Sequence, residues 1–390
     1  MAFFCMRKHQ MDMVVTTHFI TSGWELQKKV LAFFHFPPQH TSANVSNKLL
    51  NLVKEWGIET KIFTITLDNA TYNISMVNLL KKNHSFGNGL VSGGHYFHVR
   101  CGAHILNLIV QEDLKVISDA LFKIRESVKY FRGISYPTAN LYFFNVWKNQ
   151  VSLRDACTYD DRDDLICHMA KEMKGKFEKC WDSYSVILSF AVILDPLYKL
   201  RLVEFCHVKL YGQNGFRKPK EVYEKLNFFL LEYIQIQSSQ VEQHSFDSQP
   251  KRGSPSISYA NDLDEFGEFQ HATYGSTSNE SDLKAYMDER MCDYREDLDI
   301  LEYWKSVEFK YQALLYMARD ILSVPITIVA SKSAFSNGGR ILDKYRSCLL
   351  PENVEALLCT NDWLHATPAP INLDDEELVE DFSTYSTSRN

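Results

Sequence analysis

The chain has no excess of positive charge. Its 390 residues carry 42 Lys and Arg against 49 Asp and Glu, a formal net charge of −7. A protein coated in basic surface is excluded, so any nucleic-acid site must be a local patch. The nine cysteines include no Cys-x-x-Cys pair, and no C-x₂-C…H-x₃₋₅-H pattern exists. That argues against a disulfide framework and a zinc finger, and for reduced thiols in an intracellular compartment. No apolar run approaches the roughly 20 residues of a membrane span. The opening MAFFCMRKHQ places apolar residues before basic ones, the reverse of a secretory signal. There is no internal repeat. What remains is a hydrophobic content of 45%, enough for a sizeable core, on a chain long enough for two or more domains.

Taken in order, Met13 to Ile20 and Glu25 to Phe36 read as two strands of a hairpin around Gly23-Trp24, ended by Pro37-Pro38. Ser42 or Asn44 caps a helix over Val45 to Trp56, with Leu49, Leu50, Val53 and Trp56 on one face. Lys61 to Leu67 reads as a strand that delivers Asp68 at its end, and Ala70 to Lys82 as a helix. Residues 83–98 read as a loop running into His98-Val99-Arg100-Cys101-Gly102-Ala103-His104. One strand placed before residue 1 would complete β-β-β-α-β-α, the opening of an RNase H-like fold. In that fold carboxylates at neighbouring strand ends hold two Mg²⁺ for phosphodiester attack.

Helices are expected within 105–111, 119–130, 169–181, 182–194, 197–211 and 221–235, with an acidic turn at Tyr159 to Asp164. Residues 237–281 are rich in Ser, Gln, Asn, Asp and Gly and poor in aliphatics, the composition of a disordered linker. Structure is expected to resume near Leu283 and to end before an acidic tail.

The stretch Ile321 to Ser347 joins two amphipathic helices. Tyr311, Leu314, Leu315, Ala318, Ile321 and Leu322 recur at helical spacing, and Pro325 ends that stripe. A second helix opens at Pro351 with Val354, Leu357 and Leu358 on one face and reaches towards Trp363. Two such short faces must pack on the rest of the chain or on a second copy.

Several residues carry two readings. Asp68 can simply cap the following helix. Cys101 and His104 have too few partners for zinc and read as a buried thiol and a hydrogen-bonded imidazole at a helix start. Lys332, Arg340, Lys344 and Arg346 form either a solvated face or a phosphate-contacting patch. Trp304 and Trp363 fit an apolar core better than a base-stacking platform.

Four stretches together resemble the hAT transposases, and in particular plant proteins domesticated from them. These are MVVTTHFIT…W…LQKKVLAF, TITLDNATYNISMV, RCGAHILNLIVQ, and LDILEYWK…YQALLYMARDILSVPITIVASKSAFSNGGRILDKYRSCLLPENVEALLCTNDWL. SFAVILDPLYKL looks like part of the family's plant-type RNase H-fold segment. The resemblance implies an α/β fold: an RNase H-like core interrupted by a helical insertion, then a helical C-terminal dimerisation region. The implied division is 1–135 for the N-terminal core without its first strand, and 136–236 for a helical, RNase H-fold hAT-like segment. A linker over 237–281, the dimerisation region over 282–368 and a disordered tail over 369–390 follow.

The family cuts DNA with Asp, Asp and Glu on two metal ions. The middle Asp maps to Asp68. The first lies in a Ser/Thr-Asp-x-Trp-Thr-Ser motif that this sequence lacks, and Asp12 is a poor substitute. The Glu maps to Lys332 within Ala330-Ser331-Lys332-Ser333-Ala334-Phe335-Ser336. A protonated lysine offers no lone pair and repels a divalent cation. The expectation is therefore a truncated, catalytically inactive derivative, with the family's Mg²⁺ not held productively and no other cofactor. It would bind DNA through Arg100, Cys101, His104, Arg340, Lys344 and Arg346. It would dimerise, with itself or a related hAT protein, through Trp304, Tyr311, Leu314, Leu315, Ile321, Leu322, Phe335, Leu357, Leu358 and Trp363. Its expected place is the nucleus, with no membrane partner. A pure protein-interaction module and an active nuclease from a longer gene remain the alternatives.

Overall fold

The structure is a computed structural model. It describes residues 2–9, 12–35, 41–87, 89–102, 104–105, 139–158, 164–245, 281–293, 298–328, 331 and 350–364. These fall into two compact units, Met1–Ala191 with Asp320–Asn390, and Val192–Arg319.

The first unit is built on a five-stranded sheet. Strands β1 (Ala2–His9), β2 (Asp12–Ile20), β3 (Leu26–His35), β4 (Ile62–Leu67) and β5 (His98–Arg100) lie in the order β3-β2-β1-β4-β5. β1, β2 and β3 pair antiparallel, while β1–β4 and β4–β5 pair parallel. This corrects the expectation that the first strand is missing. Residues 2–9 take its place, between β2 and β4. Their short apolar run Ala-Phe-Phe-Cys-Met does not alternate, and a strand at the centre of a sheet need not alternate. Asp12 opens β2.

Two helices follow the strands: α1 (Ser42–Glu55) between β3 and β4, and α2 (Thr71–Lys82) after β4. Thr41, not Ser42 or Asn44, caps α1, its hydroxyl accepting the Asn44 N–H at 3.2 Å. Strand alternation divides the apolar residues between two faces. Met13, Val15, Ile65 and Leu67 pack with Leu49 and Val53 of α1 and Met76 and Leu80 of α2. Val14, Val30 and Phe33 point the other way and pack on Val354 and Leu358.

The helical remainder begins with α3 (Ala139–Thr158) and α4 (Asp164–Ile193). α4 is one helix where the sequence reading breaks it near residue 181. α5 (Lys199–Tyr211) and α6 (Arg217–Ser245) follow, and α6 carries helix into the first part of the expected linker. α7 (Ser281–Asp288), α8 (Ile300–Ser306), α9 (Gln312–Leu322) and α10 (Pro351–Leu364) complete the described chain.

In the second unit Tyr286, Trp304 and Tyr311 form an aromatic cluster, with Tyr286 and Trp304 rings 5.3 Å apart. The Trp304 indole N–H donates to the Leu194 carbonyl at 2.9 Å. The buried Lys199 ammonium donates to the carbonyls of Tyr286 and Glu289, which ties the last turn of α7 to the start of α5.

β3 is an edge strand, and α10 covers it. Asp362 accepts the Val30 N–H at 2.7 Å, and Glu355 accepts the Phe33 N–H at 3.2 Å. The Trp363 indole donates to the Val30 carbonyl at 3.0 Å, and its ring stacks on Trp56 at 5.5 Å. Side chains thus satisfy edge groups that would otherwise invite another strand.

Candidate functional site

The carboxyl ends of β1, β4 and β5 lie side by side, because all three run parallel. Asp68 sits just past β4, and the Cys101 N–H, just past β5, donates to the Leu67 carbonyl at 2.7 Å. Open sheets bind ligands at such strand ends. Asp68 is half-buried, and its Oδ1 accepts the Ala70 N–H at 3.1 Å and the Asn73 side-chain amide at 2.7 Å. It therefore makes an Asx-type turn ahead of α2, whose first cap position is Ala70.

Beside it, β1 contributes no acid, for Ala2–His9 contains neither Asp nor Glu. β1 pairs Cys5 with Thr66. Continued by two residues, that register sets the backbone position of Arg7 level with Asp68.

The segment Pro325 to Ser331 crosses the sheet here. Thr66 donates its hydroxyl to the Pro325 carbonyl at 2.7 Å, and the Gly102 N–H donates to the Ile326 carbonyl at 2.9 Å. The Ser331 and Thr16 hydroxyls lie 3.2 Å apart, both fully buried. Thr16, Cys5 and Thr66 are register partners on β2, β1 and β4, so the segment spans three strands. Lys332 itself lies outside the described residues, as do Phe335, Arg340, Lys344 and Arg346.

The remaining expectations divide. Cys101 is 1% exposed and packs on Ile328, so it has no surface to offer DNA, and the buried-thiol reading stands. Arg100 and His104 are half-buried. His98, at the start of β5, is pushed down to about 4 by burial and by the charges of Arg100 and Lys81. Among the described residues no three His, Cys, Asp or Glu side chains gather in a metal-binding group.

The residues expected to face a partner mostly fill the chain's own core. Trp304, Tyr311, Leu314, Leu315, Ile321, Leu322 and Leu358 are all buried. Helical spacing identified them as apolar but not what they would cover. Leu357 does not share a face with Val354 and Leu358; it is 46% exposed, and Trp363 is 43% exposed at the edge of β3. At the C-terminal end of the described residues, Leu350, Leu357 and Leu364, seven residues apart, reach the surface. That spacing is legible in the sequence beside the shorter Val354–Leu358 stripe. Thr16, Thr66, Ser331 and Asn73 were missed. Buried hydroxyls inside an apolar strand such as Ile-Phe-Thr-Ile-Thr-Leu were the available signal.

The strand order, the acid after β4 and the C-terminal segment laid on the sheet define an RNase H-like hAT core with its C-terminal region. Family models match accordingly: a ZBED1 RNase-like domain over residues 5–96 and its helical domain over 99–150. A hAT-like transposase RNase-H fold matches 140–233, and the hAT family C-terminal dimerisation region matches 282–364. The chain belongs to the hAT transposase family. It is 28% identical to zinc finger BED domain-containing protein RICESLEEPER 2 of Oryza sativa subsp. japonica, over 90% of this chain and 62% of that protein. It is 28% identical to a putative AC transposase of Zea mays, over 91% and 55%. DAYSLEEPER of Arabidopsis thaliana is 25% identical, over 90% and 61%. The chain therefore spans about three fifths of the length of these relatives. No described helix is long and apolar enough to cross a membrane.

Proposed function

We propose that this chain is a domesticated hAT derivative that binds DNA in the nucleus, pairs with a second hAT chain and does not cut DNA. The observation that carries the reading is strand β1. It occupies the place of the acid-bearing first strand, beside Asp68, with no carboxylate of its own. Two divalent ions bring about four positive charges and need several carboxylates to hold them. Asp68 is a single acid, one of whose oxygens is already engaged by Ala70 and Asn73. Lys332 follows Ser331 where the family carries its Glu. These residues do not fit a pair of Mg²⁺ ions.

Self-association is supported by the match to a dimerisation region and by the exposed leucines in and just before α10. Leu350, Leu357 and Leu364 repeat at seven residues, the spacing that lines one side of a helix in a two-helix seam. A chain with Leu357→Asp and Leu364→Asp should run as a monomer in size-exclusion chromatography with light scattering, while the parent runs as a dimer. Equal masses would remove α10 as the contact.

The catalytic reading is tested with labelled terminal-repeat DNA in Mg²⁺ or Mn²⁺. The expected outcome is a salt-dependent gel shift without nicking. Metal-dependent nicking that Asp68→Asn abolishes would overturn inactivity. Absence of any shift at low salt would favour a protein-interaction module instead.

A further inference from the structure

The joint between α5 and α6, within the second unit, is locally basic. Between residues 209 and 225 there are five cations and two carboxylates, in a protein with a net charge of −7. Lys209, Arg217, Lys218 and Lys220 are all exposed. Aromatic rings stand among them at the surface: Tyr211 is 46% exposed and Phe216 58%. On α5 the pattern continues backwards, since Arg201, Phe205 and Lys209 recur every four residues and all three are exposed. A solvated helix end explains the lysines. It does not explain large rings held in water beside them.

The joint is also shaped. A Cβ on Gly215 would lie 2.3 Å from the His207 carbonyl oxygen, so only glycine lets the loop lie flush against the last turn of α5. Gly212, at φ +62°, turns the chain there. Buried His207 stacks on Tyr211, ring centroids 6.0 Å apart. Burial and the nearby Lys218 charge push that imidazole down to about 4, so it stays neutral under the ring. Tyr211 is thereby fixed by a neutral partner from below. Arg217 pairs with Glu221 at 2.7 Å, but both are surface groups, and such pairs exchange partners at little cost.

Cations that track a phosphate backbone, interleaved with rings on which bases stack, are the chemistry of single-stranded nucleic-acid recognition. We propose that the α5–α6 joint is a nucleic-acid site separate from the strand-end site. Lys209, Arg217, Lys218 and Lys220 contact phosphates, and Tyr211 and Phe216 stack unpaired bases. It deepens the DNA-binding reading and rests on it. An acidic peptide would satisfy the lysines but would leave the rings without a role, which is why nucleic acid is preferred.

The test measures binding of the full chain by fluorescence anisotropy, across a salt series, to a fully paired duplex and to the same duplex with a single-stranded gap. Lys218→Gln with Lys220→Gln should reduce the slope of log affinity against log salt by about 2, near 0.9 per lost phosphate contact. Lys218→Arg with Lys220→Arg should bind as the parent does. Phe216→Ala should lower affinity for the gapped DNA by about 5- to 100-fold and leave the paired duplex and the salt slope unchanged. Suppose the parent binds DNA but the glutamine pair leaves the slope intact, or Phe216→Ala treats both DNAs alike. The joint is then not the site, while the reading of the preceding subsection survives. If the parent binds neither DNA at low salt, both fall. Competition by a polyglutamate peptide that is insensitive to Phe216→Ala would replace nucleic acid with an acidic peptide.

Discussion

Thr66 holds the C-terminal segment to the sheet, and replacing it with valine isolates that one attachment. Valine keeps the shape, so no cavity opens at this fully buried position. What is lost is the 2.7 Å hydrogen bond to the Pro325 carbonyl, which then faces a methyl group. Losing a buried bond and leaving its acceptor dry costs about 1–3 kcal/mol. The strain falls on the segment, not on the strands, so two neighbouring amides report it separately. The Gly102 N–H bonds to Ile326 of the segment, whereas the Cys101 N–H bonds to Leu67 of the sheet. In Thr66→Val, amide exchange at Gly102 should accelerate about 5- to 150-fold, the kinetic equivalent of 1–3 kcal/mol of local opening. Exchange at Cys101 should stay near the parent rate. Thr16→Val, which removes the contact to Ser331, should act on the same amide. The two changes together should fall short of their sum, because either one already frees the segment. Unchanged Gly102 exchange would refute the attachment. Equal acceleration at Cys101 would show that the segment and the sheet open as one piece.

Three further outcomes follow from buried groups. Trp304→Phe loses the bond to the Leu194 carbonyl and part of a fully buried ring, and should destabilise the second unit by about 2–4 kcal/mol in urea unfolding. Glu355 is held above its ordinary range, first by burial, against the Phe33 N–H and Lys48 and with Glu55 and Glu352 nearby. A raised carboxyl contributes most below its unfolded range and loses that contribution as pH rises, so Glu355→Gln should unfold later than the parent at pH 8 and match it in acid. Buried His18 is pushed down to about 3 by burial and by Lys28. The unfolded chain takes that proton first, so stability falls as pH drops from 6.5 towards 3, by about 1.4 kcal/mol per unit. His18→Gln should remove one proton's worth of that slope, read from unfolding midpoints across the same range.

Much of the sheet was legible because its signals are local. Met13, Val14 and Val15 alternate, and the structure sends them to opposite faces as alternation requires. Asp68 was legible from its place after an apolar strand. β1 was not, since its apolar residues run consecutively and its polar ones follow them, with no alternation to mark a strand. The helical stripe from Tyr311 to Leu322 announced burial, but spacing cannot name the covering surface, and the core of the same chain supplies it. The contact between Thr16 and Ser331 joins residues 315 apart, and nothing local in either neighbourhood predicts the other. Leu357 shows the finer limit. It lies one residue from Leu358, yet the turn of the helix puts one leucine inside and the other out.

The cover that α10 places over β3 also sets an order of events during synthesis. Val30 and the Asp362 that satisfies it are 332 residues apart. At about 5–20 residues per second, the ribosome delivers the second roughly 17–66 s after the first. For that interval the nascent sheet has its outer row of amides and carbonyls open. The nascent chain is therefore at greatest risk of pairing with a neighbouring copy before its last helix emerges, and a ribosome stalled ahead of Pro351 would leave that edge permanently exposed.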